Sequence, residues 1–264
     1  MVSLILRQSL AVVLALSSGT LAKDWESPKY KWLYKFPFPI SLPRRSGSRD
    51  SLTGKKIRYY EIEIKEFTHQ VYPNLGPAKL LVGYDGISPG PTLLTERGEE
   101  AVIRFTNHAK MASFIHLHGS YSRTPWDGWA EDTTAVGEYK DNNYPDSQSL
   151  RTLWYHDHVI DHTAENACFG QAGVYVLHES AEDGLGLPAR YGIYYITLIL
   201  SAKQYNKDGT LYSPASKDTS LYGDVSTSTG SHGRTSSSGC TSTASASSTP
   251  PSPAISFSIS RISS

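Results

Sequence analysis

The sequence is 264 residues long, 39% hydrophobic and 19% charged, with 25 basic and 25 acidic side chains and no net charge. That length allows one large or two modest domains with a sizeable core. Neutrality argues against nucleic acid or an anionic membrane as partner, so function has to come from a local site.

Residues 1–22, MVSLILRQSLAVVLALSSGTLA, set Arg7 ahead of an apolar run from Leu10 to Leu16 and end in small and polar residues. The pattern predicts a signal peptide cut after about Ala22, and hence a secreted protein. A membrane anchor would need ~20 continuous apolar residues, which neither this run nor any later one supplies. Residues 23–56, with the Pro-rich KFPFPISLPRR, read as an extended lead-in.

Residues 57–180 read as successive strands of an all-β sandwich or barrel. IRYYEIEIKEF alternates in part, LLVGYDG ends in a Gly turn, and PTLLTERGEEAVIRFTN holds two apolar runs broken at ERGEE. SFIHLHG, TLWYHDHV and GVYVLHE supply further strands, and no long segment has a helical period. The polar loop from Ser120 to Asp146 is long enough to suggest a functional role. Residues 181–225 hold a connector, the apolar run IYYITLIL and the hairpin-like YNKDGTLYS, which look like the start of a second domain.

Residues 226–264 turn to Ser and Thr with some Pro and Ala and contain no Asp, Glu or Lys, so a disordered tail is expected. Only Cys168 and Cys240 are present, which excludes a disulfide framework and leaves room for one bridge.

FIHLHGSY and TLWYHDHV each carry two histidines one residue apart. In a strand such residues share a face, so His116 and His118 point one way, as do His156 and His158. Adjacent strands would converge four imidazoles, a donor set for Cu, Zn, Fe or Ni and a poor one for Ca²⁺ or Mg²⁺. HDHVIDH superficially resembles the His-X-His-X-Asp-His motif of zinc hydrolases, but its spacing is one residue too long. His162 fits a surface or capping position better than a ligand, and the isolated His69, His108 and His178 carry no signal. Asp127, before Gly128, reads from the residues alone as a turn former.

The stretches HLHGSYSRTPWDGWAED and RTLWYHDHVIDHTAENACFGQAG resemble the first domain of multicopper oxidases, above all the bilirubin-oxidase and spore-coat-laccase branch. The resemblance runs from about Ser27 to Val225; Leu117, where laccases proper usually carry Trp, favours that branch. It implies a cupredoxin-like Greek-key sandwich, the first of three, with a trinuclear copper cluster between the first and third. His116 would then ligate the type 2 copper, and His118, His156 and His158 the type 3 pair. Asp127 would help deliver protons to bound oxygen. Small phenolic or tetrapyrrole substrates and O₂ are the implied partners. Cys168 stands where the family has an aromatic, and Tyr195-Ile196-Thr197 where it has Asp-X-Pro.

A complete cluster takes eight imidazoles, and the type 1 copper takes a Cys with two His. No His-Cys-His motif occurs in these 264 residues, so half a cluster and no electron entry are expected. A family-like IHVNGQPWPY, written in suitable codons and stripped of one base, reads Ser-Thr-Ser-Thr-Gly-Ser-His-Gly-Arg-Thr, which is residues 226–235. KYRFRFLDAAVS shifted likewise yields Ser242 to Ser252. The sequence therefore predicts a reading frame lost after Val225. Two lesser readings stand beside the oxidase: a copper-binding fragment without turnover, and a zinc hydrolase.

Overall fold

The computed structural model describes residues 46–70, 72, 79–186, 191, 195–213, 223, 225–228, 231–232 and 256–261. The leader, most of the lead-in and Cys240 lie outside the described residues. Lead-in residues Ser46–Arg49 form β1, antiparallel to β2 at Lys56–His69. In β2 the alternation of Tyr60, Ile62 and Ile64 with Glu61 and Glu63 buries one face and solvates the other. β2 also pairs antiparallel with β3 (Lys79–Tyr84) and parallel with β5 (Glu100–Asn107). On the far side of β5 lies β7, Tyr139–Tyr144, completing the first sheet.

The second sheet runs β4 (Leu93–Glu96), β9 (Ala172–His178), β8 (Arg151–Asp157), β6 (Ile115–His118), with β6 at its edge. Between the sheets, Tyr60, Ile62 and Ile64 of β2 and Ile103 and Phe105 of β5 join Leu117, Leu153, Tyr155 and Tyr175 in one buried cluster. Tyr155 reaches across it: its ring lies 5.0 Å from that of Tyr84 and its hydroxyl donates to the Pro91 carbonyl at 2.6 Å. Gly173 is required here for space, because a Cβ on it would meet the Tyr155 ring at 2.2 Å.

Two elements were not visible in the sequence. β7 lies inside the Ser120–Asp146 stretch, and its YKDNNY has no apolar alternation. Its inward positions are Asn142 and Tyr144, and Asn142 Nδ2 donates to the Tyr144 hydroxyl at 3.2 Å and to the Ile115 carbonyl at 3.4 Å. Helix α1, Thr163–Phe169, is only seven residues long, too short for a period to register, and stops at Gly170 with φ 133°.

β10, Tyr195–Lys203, is followed by the expected hairpin, where Tyr205 bridges Leu211 around Gly209. Thr197, in place of the family's Pro, is buried and shares hydrogen bonds with Thr92 at 2.8 Å and Tyr191 at 2.9 Å. Cys168 is a free thiol, packed with Phe169 and Leu81 against Tyr72, Tyr205 and Leu211.

The expectation of a wholly disordered tail needs correction. Three short parts of it are strands: β11 (Val225–Ser228) and β13 (Ser256–Arg261) flank β10 antiparallel, and β12 (Ser231–His232) pairs with β11. Composition hid a local pattern: SFSISR sets Phe257 and Ile259 alternately with serines, and Thr227 is β-branched. The rest of the tail lies outside the described residues.

Candidate metal centre

β6 and β8 are antiparallel neighbours, and their register sets His116 opposite His156 and His118 opposite Trp154. Because Leu117 and Tyr155 are buried between the sheets, strand alternation turns His116, His118, Trp154 and His156 to the other face. His158, just past the strand end, is held by its backbone N–H to the Phe114 carbonyl at 2.8 Å. The ring centroid of His116 lies 5.4 Å from that of His118, 5.5 Å from His156 and 5.1 Å from His158. One donor nitrogen from each of His116, His118 and His156 falls within 4.8 Å of the others. The rings of all four histidines thus lie together on the outer face of the edge pair, and donor nitrogens of three of them, His116, His118 and His156, converge.

Two main-chain carbonyls orient the rings. His156 Nδ1–H donates to the Asp157 carbonyl at 2.7 Å, and His116 Nδ1–H donates to the Asp127 carbonyl. Each bond places the proton on Nδ1 and leaves Nε2 with its lone pair free. His156 Nε2 and His158 Nδ1 are buried without a hydrogen-bond partner among the described residues. Burial, reinforced by the neighbouring imidazoles, lowers the pKa of His116 and pushes that of His156 down to about 3. Neutral imidazoles with orphaned, converging nitrogens are what a borderline transition metal needs, and copper fits the set.

The supports of this face include a residue that sequence reasoning missed. Asp157, between His156 and His158, is fully buried. Its Oδ1 accepts from Ser113 Oγ at 2.7 Å and Phe114 N at 3.0 Å, and its Oδ2 from Val159 N at 3.2 Å and Asn166 Nδ2 at 3.0 Å. One carboxylate thus ties the approach to β6, the end of β8 and α1 together. The available signal was an acid at an inward position of an apolar strand, where it must find donors. Gly128 is the second support. Its φ is 97°, and a Cβ there would meet His116 Cβ at 2.7 Å.

Asp127 has an exposed side chain in a shallow depression with Thr124, Trp129, Glu131 and Ile160. It touches the centre through its carbonyl oxygen. His162 begins α1, exposed, 3.8 Å from Glu165, as a surface residue should. His162, exposed at the N-cap of α1, is not among the converging donors, so HDHVIDH does not assemble the His-X-His-X-Asp-His donor set of a zinc hydrolase.

An all-β sandwich with four imidazoles on an outer strand pair defines a cupredoxin-like metal-binding domain. Residues 67–182 match the family model of the multicopper oxidases, and through this domain the chain belongs to that family. It is 53% identical over 189 residues to the bilirubin oxidase of Albifimbria verrucaria, a match covering 70% of this chain and 32% of that protein. It is 30% identical over 211 residues to a laccase of Bacillus subtilis, covering 69% and 40%. The chain thus spans between about a third and two fifths of the length of these relatives. Among solved structures, a laccase from Pediococcus acidilactici superposes with TM-score 0.68 at 21% identity, over 79% of this chain and 43% of that one. A multicopper oxidase from Campylobacter jejuni gives 0.66 at 20%, over 80% and 43%. Both share the fold.

Proposed function

We propose that this domain is the first of a secreted multicopper oxidase of the bilirubin-oxidase-like branch, oxidising phenolic or tetrapyrrole-type substrates and reducing O₂ to water. The observation that carries the reading is the clustering of His116, His118, His156 and His158 on one face, with buried nitrogens that no group of the described residues satisfies. Bound copper would supply one-electron redox chemistry toward O₂. The chain's own contribution is to hold the metals: the carbonyls of Asp127 and Asp157 fix two imidazole tautomers, and the carboxylate of Asp157 fixes the spacing of the strands. In this reading His116 faces the type 2 position and the other three the type 3 pair, and the exposed carboxylate of Asp127 relays protons from solvent. Four imidazoles are half of such a cluster.

In this reading the 264 residues, which hold no His-Cys-His segment, bind copper through the four imidazoles and by themselves do not turn over. The frame-shift reading of residues 226–235 explains why. Copper stoichiometry together with oxygen consumption tests both statements. The chain as it stands should take up copper and consume no O₂ with a phenol or bilirubin, whereas a chain with the frame restored after Val225 should gain a blue absorption and oxidase activity. Oxygen reduction to water by the short chain, or a restored frame that encodes no cupredoxin sequence, would contradict the proposal. Sequencing the transcript decides whether the shift is real.

A further inference from the structure

Five aromatic rings, not four, make up the face that carries the histidines. Trp154 stands opposite His118 in the β6–β8 register and two residues before His156 on the same face of β8. Its indole stacks on the His156 ring with centroids 3.9 Å apart and planes 19° apart, and tilts against His118 at 5.5 Å and 35°. No other ring contact in the cluster is as close or as parallel. The indole therefore touches one imidazole from each histidine-bearing strand.

A histidine side chain has two torsions, and its hydrogen bond to the Asp157 carbonyl constrains only one point of the ring. The imidazole can still swing about the Nδ1 contact, carrying Nε2 through an arc. A flat surface against the ring face removes that freedom. With the indole on one side and the carbonyl at Nδ1, the direction of Nε2 is defined before any metal arrives. The His118 ring is exposed, and its tilted contact with the indole gives it a wall on the strand side. Aromatic pairs in such offset arrangements add attraction beyond area burial.

We propose that Trp154 is a positioning residue of the metal centre: its indole presets the planes of His156 and His118 so that their nitrogens converge on copper. This deepens the copper reading given above and rests on it for the metal, but the pre-setting itself is a property of the metal-free protein. Proximity adds a consequence. An indole in van der Waals contact with a copper-bound imidazole will have its fluorescence quenched by Cu²⁺, and the part of the quenching that Trp154→Phe removes reports that contact.

The test has a metal-free arm and a copper arm, both on the full chain. In metal-free protein, the carbon-bound ring protons of His156 should be shifted upfield by the indole ring current, and Trp154→Leu should abolish the shift while the far-UV circular dichroism stays unchanged. With CuCl₂ as the probe, tryptophan emission should fall in step with copper uptake. Trp154→Phe, which keeps an aromatic face, should bind copper within about threefold of wild type but lose most of the quenching. Trp154→Leu should bind about tenfold or more weakly, as supports of metal ligands do, with an altered Cu²⁺ electron paramagnetic resonance spectrum. An unshifted His156 in wild type, or a leucine variant with wild-type affinity and spectrum, overturns the inference. If the leucine variant does not fold, undiminished quenching in the phenylalanine variant overturns it instead. A wild-type protein with the ring-current shift but no copper uptake sinks the copper reading and leaves the pre-set rings standing.

Discussion

The two faces of β8 follow opposite rules. On the inward face, Leu153, Tyr155 and Asp157 are buried, and each polar group among them has its partners: the Tyr155 hydroxyl on Pro91 and the Asp157 carboxylate on four donors. On the outward face, Trp154, His156 and His158 form an aromatic surface in which His156 Nε2 and His158 Nδ1 are buried and unsatisfied. One strand thus carries a face complete in itself and a face that is complete only with something added. Buried polar groups are normally paired, and here the unpaired atoms lie on clustered imidazoles, where a metal can use them.

If that division is right, inward substitutions should act on stability and outward ones on metal binding. The largest loss should come from Tyr155→Ala, about 3–5 kcal/mol for a buried aromatic that spans the two sheets, read as a shift in urea midpoint. Asp157→Ala should follow, at roughly 2–4 kcal/mol, because it leaves buried donors unmatched. It should also weaken copper binding, since it frees the segments that bear the histidines.

A neighbouring carboxylate sharpens the comparison. Asp146 is also buried, and the Tyr175 hydroxyl donates to its carboxylate, 2.8 and 2.7 Å from the two oxygens. Burial raises its pKa to about 7, against the opposing hydrogen bonds of Tyr175 and Thr95 and the charge of Arg58. The folded state therefore holds this proton more tightly than the unfolded chain does. Its contribution is most favourable below about pH 4 and is lost as pH rises toward and through 7, on the order of 1–3 kcal/mol. Asp146→Asn tolerates the residue's left-handed φ of 45° and should flatten this slope, gaining stability relative to wild type at pH 8 and not at pH 4. Denaturant melts at the two pH values check it. The smallest stability effect, within about 0.5 kcal/mol, should come from exposed His118→Ala. Calorimetric titration with copper should nonetheless show that variant strongly impaired.

Much of this was legible in the residues. The His-X-His spacing in apolar strands told that the imidazoles share a face, and the alternation around Tyr60 and Leu117 told which side is the core. What the sequence did not disclose depends on contacts between distant segments. Asp157 reads as a mere spacer between two histidines until its donors at Ser113, Phe114 and Asn166 are seen, and β7 is held in part by an asparagine–tyrosine hydrogen bond that no hydrophobic period reports. Asp127 shows the same limit from the other side. The residue was picked for its carboxylate, yet its contact with His116 is made through the backbone, next to a glycine that only the fold shows to be sterically required. In the tail, overall composition outweighed a short alternating run that the fold uses beside β10.

The central claim is that the outward face of β6 and β8 is a copper site built from imidazole. X-ray absorption spectroscopy at the copper edge, on the full chain loaded with Cu²⁺ and freed of loose metal, tests it most directly. The account predicts a first shell of nitrogen with the outer-shell scattering of several imidazoles, and a drop in both copper content and imidazole number in His116→Ala and His156→Ala. Copper held by oxygen ligands alone, or a spectrum unchanged when both histidines are replaced, would contradict it.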